Sequence, residues 1–195
     1  MDSMEHFNDG RQCQRAVDAL LEVIELARDL GGITVSTSLP DQSENDEYLK
    51  IHDAVADRAD ACSILIADFG HSWKNNNTDN SQNKKNELSN NDNPPSTMEM
   101  IGCGIDPAME LMKDNNPANQ ILKIGNKLTG IRFSDSDGAN RVEPGLGKLD
   151  IPTFQIALVT ANYTNPVIVD TRGLSNPESA AKHAPSRWGI TEANQ

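Results

Sequence analysis

Residues 128–170 read LTGIRFSDSDGANRVEPGLGKLDIPTFQIALVTANYTNPVIVD. A strand segment from Leu128 to Phe133 gives way to a loop rich in Asp, Gly and Pro, then to helical sequence from Pro152 to Tyr163, then to a second strand segment from Val167 to Asp170. Asp150 stands where a side-chain oxygen caps the helix, and Pro152 falls in its first turn, where a missing N–H costs nothing. Strands separated by helical segments indicate βαβ crossovers.

The same rhythm extends upstream. From Arg15 to Leu30 the residues Ala16, Leu20, Val23, Ile24, Ala27 and Leu30 recur at helical spacing, and Gly31 supplies a stop. A β-branched run, Ile33 to Ser38, follows and is closed by Pro40. Glu47 to Asp60 repeats the helix, with Tyr48, Ile51, Val55 and Ala59 on one face, and Cys62 to Phe69 repeats the strand. The unbroken apolar core Ile64-Leu65-Ile66-Ala67 suits a strand covered on both faces, so a parallel α/β architecture is expected. A further strand at Met100 to Ile105 and helical sequence from Pro107 to Lys127 complete the alternation. Residues 74–97, dominated by Asn, lack the apolar side chains that offset ordering entropy and read as a disordered insertion. Residues 1–14 and 190–195 read as tails around a domain spanning 15–189.

With 195 residues the chain can bury one sizeable core, yet a complete (β/α)₈ barrel takes roughly 250. A formal net charge of −12 argues against nucleic-acid binding, which needs clustered Lys and Arg. No apolar run approaches the roughly 20 residues that span a bilayer, and the N-terminus MDSMEHFNDG lacks the pattern of a signal peptide. No membrane partner and a cytoplasmic location are therefore expected. Cys13, Cys62 and Cys103 form no CxxC pair and are expected to pack as small apolar residues.

Five motifs in order carry a resemblance. Ile101-Gly-Cys-Gly-Ile-Asp-Pro-Ala-Met109, then Leu128-Thr-Gly-Ile-Arg-Phe-Ser-Asp135, then Pro144-Gly-Leu-Gly-Lys-Leu-Asp150, then Ala161-Asn-Tyr163 with Pro166-Val-Ile-Val-Asp170, and finally Gly173 through Trp188, resemble the C-terminal βα units of xylose isomerase-like TIM barrels of the sugar phosphate isomerase/epimerase type. More loosely, Ala19 to Gly32 and Ser63 to Gly70 resemble earlier units. The resemblance implies a partial parallel (β/α) barrel, about strands four to eight, with the first three units absent.

In that family two carboxylates, a His and a further carboxylate hold one divalent metal at the C-terminal strand ends, and a ligand carboxylate moves a proton of the bound sugar. Carried over residue by residue, Asp106 matches a metal ligand and Asp170 takes the place of the final Glu ligand, which also serves as the base. Ala67 occupies the place of the first Glu, with Asp68 beside it as the substitute ligand and base. Arg132 replaces the His ligand, Ser134 replaces a substrate-contacting Lys, and Met109 replaces a substrate-contacting His. A guanidinium cannot ligate a cation. The resemblance thus implies a sugar phosphate isomerase/epimerase-like protein with metal-dependent isomerisation impaired or lost, Arg132 pairing with Asp106 or Asp170. Two other readings stay open. One is an active isomerase using Mn or Mg on an altered ligand set, with Asp68 or His71 joining Asp106 and Asp170 and a sugar or sugar phosphate as partner. The other is a non-catalytic module completed by another chain, or a homo-oligomer, because an open parallel sheet leaves unpaired edges.

The remaining motifs have plain readings. Asp135-Ser-Asp137-Gly138 reads as a turn, because Phe133 stands where a calcium loop needs a ligand. Gly145-Leu-Gly147 lacks the strand-to-helix context of a phosphate cradle. His6, His52 and His183 are expected on solvated surface. Met98, Met100, Met109 and Met112 are expected to fill core gaps.

Overall fold

The computed structural model describes residues 10–40, 46–70 and 100–189, so the expectations for residues 74–97 and 190–195, for His6 and for His71 lie outside the described residues. The chain divides into two compact units, Met1–Cys103 and Gly104–Gln195.

In the first unit, helix α1 (Gly10–Asp29) leads to strand β1 (Thr34–Thr37), helix α2 (Asp46–Cys62) leads to strand β2 (Leu65–Asp68), and strand β3 (Ile101–Ile105) begins. β1 and β2 run parallel with Val35 opposite Ile66, and β2 runs parallel to β3 with Ile66 opposite Ile101. Val17, Leu20 and Ile24 of α1 and Val55 and Ala59 of α2 share one buried cluster with Val35, Ile64 and Ile66. α1 starts five residues before the periodicity predicts, and Cys13 is buried in the added turn. Residues 10–14 are therefore helix rather than tail, while residues 1–9 lie outside the described residues. His52 corrects the sequence reading: it is 2% exposed, and its Nε2 bonds to the Pro40 carbonyl at 2.8 Å. The helical face that looks polar in sequence is buried at that point because the chain after β1 returns across it. All three cysteines are buried and free, as small apolar residues.

The second unit takes the rest of β3, then helices α3 (Pro107–Met112) and α4 (Pro117–Ile124), strand β4 (Leu128–Phe133), a small hairpin of β5 (Asp135–Ser136) and β6 (Arg141–Val142), helix α5 (Ile151–Thr160), strand β7 (Val167–Val169) and helix α6 (Pro177–Trp188). The helical sequence expected from Pro107 to Lys127 forms two α-helices. Asp114 adopts φ +56° and Asn116 caps a new start by accepting from Asn119 N at 3.2 Å, with Pro117 in the first turn. β4 and β7 are parallel, with Ile131 opposite Val167 and Phe133 opposite Val169. As predicted, the Asp150 carboxylate caps α5 by accepting from Thr153 N. Met109 departs from expectation, being 40% exposed.

Parallel strands alternating with helices are the βα units of a partial TIM-type barrel. Among the described residues no helix is long and apolar enough to cross a membrane. The second unit is cemented by an aromatic set. Trp188 meets Phe133 edge to face at 4.7 Å and Phe154 at 6.2 Å, so it ties α6 and α5 to β4. Phe154 is fully buried, and its replacement by Ala should cost about 3–5 kcal/mol in urea unfolding. Ile156→Ala, two residues away but 66% exposed, should shift the midpoint little.

Candidate functional site

Asp106 follows β3 directly, and its backbone and side chain open α3, with the carboxylate accepting from Met109 N at 3.4 Å. Ser134, the first residue past β4, is 1% exposed and joins the two elements. Its hydroxyl donates to Asp106 Oδ1 at 2.6 Å and accepts from Ala108 N at 3.1 Å. Asp170 follows β7 and is 6% exposed. Both acids thus sit at C-terminal strand ends, where the sites of parallel barrels lie.

Between them stands Arg141. Its Nη1 donates to Asp170 Oδ2 at 3.0 Å, and its Nη2 donates to Asp106 Oδ2 in a short hydrogen bond. Arg172 grips Asp170 from another side, Nε on Oδ1 at 2.8 Å and Nη2 on Oδ2 at 2.7 Å, while its backbone N–H also donates to Oδ1 at 3.1 Å. The two-bond fork of Arg172 on Asp170 is the geometry that guanidinium and carboxylate planes favour, whereas Arg141 gives one bond to each acid. Arg132, expected to pair with a carboxylate here, lies 3.7 Å from Asp106 Oδ2. Burial would raise the Asp170 carboxyl, but the hydrogen bonds from Arg172 and the charges of Arg141 and Arg172 outweigh it and hold the group down at about 2. Burial lowers the Arg132 guanidinium, and so does the like charge of Arg172, against the opposing pull of Asp106 and Asp170.

What places Arg141 is Asp135. This carboxylate is 1% exposed and accepts four backbone N–H groups: Ser136 at 2.8 Å and Leu149 at 3.0 Å on Oδ1, Gly145 at 3.0 Å and Gly147 at 2.8 Å on Oδ2. It cinches residues 135–149 into a closed loop whose β5–β6 hairpin sets Arg141 opposite Ser136. Gly147 is required by that closeness, since a Cβ there would collide with the Asp135 carboxylate and the Ser136 carbonyl. The loop that separates the two sequence motifs is therefore part of the site.

Of the residues expected from sequence, the second unit brings together Asp106, Asp170, Arg132 and Ser134. Met109 contributes only its backbone N–H to Asp106. Asp68 belongs to the first unit, where it is 2% exposed and its Oδ1 accepts from Leu39 N at 2.9 Å and Gly70 N at 2.8 Å. Among the described residues no group of three or more His, Cys, Asp or Glu side chains could hold a metal ion. Arg141 and Arg172 were missed in sequence. For Arg141 the signal existed in Asp137-Gly138, a dipeptide that marks a hairpin and hence a returning strand.

No family model matches the chain, and no curated protein matches it in sequence. Solved structures do match. A xylose isomerase domain protein from Planctomyces limnophilus superposes with a TM-score of 0.67 at 16% identity, over 92% of this chain and 66% of its own. An L-ribulose 3-epimerase gives 0.65 at 16% identity, over 93% and 68%. A xylose isomerase-like TIM barrel protein from Mycobacterium smegmatis, in complex with magnesium, gives 0.68 at 13% identity, over 97% and 70%. The chain has the fold of the xylose isomerase-like TIM barrels and spans about two thirds of the length of these structures.

The ion pairs make a pH prediction. Asp170 titrates at about 2 in the folded chain against an ordinary 3.8, so its contribution to stability is full above about pH 4 and is lost as pH falls through 2. Urea unfolding between pH 5 and 2 should show that loss in the wild type and a flatter profile in Asp170→Asn.

Proposed function

We propose that this chain is a sugar isomerase/epimerase-like barrel protein whose metal-dependent isomerisation is impaired or lost, because an internal guanidinium takes the cation's place between the two acids. The supporting observation is Arg141, hydrogen-bonded at once to Asp106 and Asp170. A divalent cation in this family polarises a sugar carbonyl and acidifies the neighbouring C–H. The donor set does not fit one: Arg132, Arg141 and Arg172 surround Asp106 and Asp170, and their positive charge opposes a second cation.

The proton chemistry points the same way. A general base works best with a pKa near the working pH. Asp170, held at about 2, remains ionised at neutral pH yet has little affinity for a proton. It also has one methylene less than the Glu it replaces, and a base displaced by about 1 Å can lose on the order of a hundredfold in rate. Asp106 is occupied as a helix cap and as acceptor for Ser134 and Arg141. Both acids therefore serve as anchors for arginines.

Calorimetric titration with Mn²⁺ and with Mg²⁺ tests this reading. No stoichiometric uptake is expected from the wild type, and no solvent deuterium should enter a panel of ketoses. Stoichiometric Mn²⁺ binding that disappears in Asp106→Ala, together with deuterium exchange, would instead establish an active isomerase with an altered ligand set.

A further inference from the structure

We propose that helices α4 and α5 are the contact face of a dimer, on which a second copy of this chain packs about a two-fold axis. This goes beyond the function proposed above and does not involve the acids at the strand ends. The chain has 29 Asp and Glu residues, yet none falls between Pro117 and Ser134 or between Ile151 and Val169, the two stretches that hold α4 and α5. Two copies of a chain with a formal net charge of −12 repel each other over most of their surface. A face without acids is where they can meet.

The face is also apolar. α5 carries no charged residue and buries Phe154, Ala157 and Leu158, while Ile156 and Val159, one turn apart on its other side, are 66% and 80% exposed. A helix that is apolar all round is ordinarily covered all round. α4 packs beside it, and the starts of the two helices line one cavity, so they run side by side in the same direction. Leu122 and Ile156 each stand six residues past the cap of their helix, Asn116 and Asp150, so both lie about 9 Å along it. Leu122 is 51% exposed. Single exposed apolar side chains are ordinary, but these three are neighbours.

Charge sets how the copies lie. Exposed Asp114 and Asp150 stand at the cap end of the helix pair, exposed Lys123 and Lys127 toward the far end. Lys113 and Lys148 are also at the cap end, but the Lys148 ammonium is turned over Gly138, where it acts on Asp137. A two-fold axis across the helices sets the cap end of one copy on the far end of the other, acids against lysines, and pairs α5 antiparallel with its counterpart. Opposed helix dipoles favour the same arrangement. A helix of this length spans about 15 Å and its neighbour's axis lies about 10 Å away, so each copy offers less than the roughly 800 Å² of a standard interface. The dimer is therefore weak and dissociates on dilution.

The test is sedimentation velocity on the full chain from about 1 μM to about 1 mM. Wild type is expected to pass from monomer to dimer across that range. Val159→Glu, which sets an acid on the face, should raise the dissociation constant by at least about tenfold. Val159→Gln, polar without the charge, should fall between, and it carries the test if the Glu variant does not fold. Lys123→Glu combined with Lys127→Glu, which turns acids toward Asp114 and Asp150, should weaken the dimer most at low ionic strength. Leu26→Glu, at an apolar residue of α1 that is also exposed but lies in the first unit, should leave association unchanged. A wild type that stays monomeric at the highest concentration, association that continues past the dimer, or equal weakening by Leu26→Glu and Val159→Glu would overturn the proposal.

Discussion

Two buried, ionised carboxylates need a compensating positive charge, and in this chain Arg141 supplies it to both at once, hydrogen-bonded to Asp106 and to Asp170. Much of the second unit follows from that requirement. Asp106 can begin α3 and still turn its Oδ2 inward because Ser134 and the Met109 N–H hold its Oδ1. Asp170 can end β7 buried because Arg141 and Arg172 satisfy both of its oxygens. Breaking such a pair by removing one partner is costly, since it leaves an uncompensated buried charge.

Arg141 in turn depends on the loop of residues 135–149, whose polar anchor is a single buried carboxylate. Asp135 anchors it with four backbone hydrogen bonds; Gly147 lets the chain come close enough to make them, and Gly145 turns at φ +82° against the Arg187 side chain. Arg187 braces the far side through Glu143 at 2.9 Å and the Pro144 carbonyl at 3.1 Å, and so links the loop to α6. The same helix carries Trp188 onto Phe133, so the packing of the unit and the placement of its charges share one scaffold.

The scaffold was legible because it rests on local rules. The unbroken apolar run Ile64-Leu65-Ile66-Ala67 announced a largely buried parallel strand, and Asp150 with Pro152 announced a helix start that the structure places one residue earlier. The split after Met112 was harder, since Asn116-Pro117 marks a helix start that competes with continuous helical spacing. His52 was misjudged because its burial comes from the tertiary path of Pro40, which no period encodes. At the site, positions matched to a family pattern located Asp106, Asp170, Arg132 and Ser134, all at strand ends. Arg141 sits on a hairpin between two matched motifs, and its role depends on where Asp135 folds that loop. Spacing along the chain carries no such information.

The claim that an arginine occupies the cation position is tested most directly by crystals soaked in Mn²⁺ and measured for anomalous scattering. Continuous density for the Arg141 guanidinium between Asp106 and Asp170, with no manganese peak among them, is the predicted result. A manganese peak ligated by those two carboxylates, with Arg141 swung away, would contradict it.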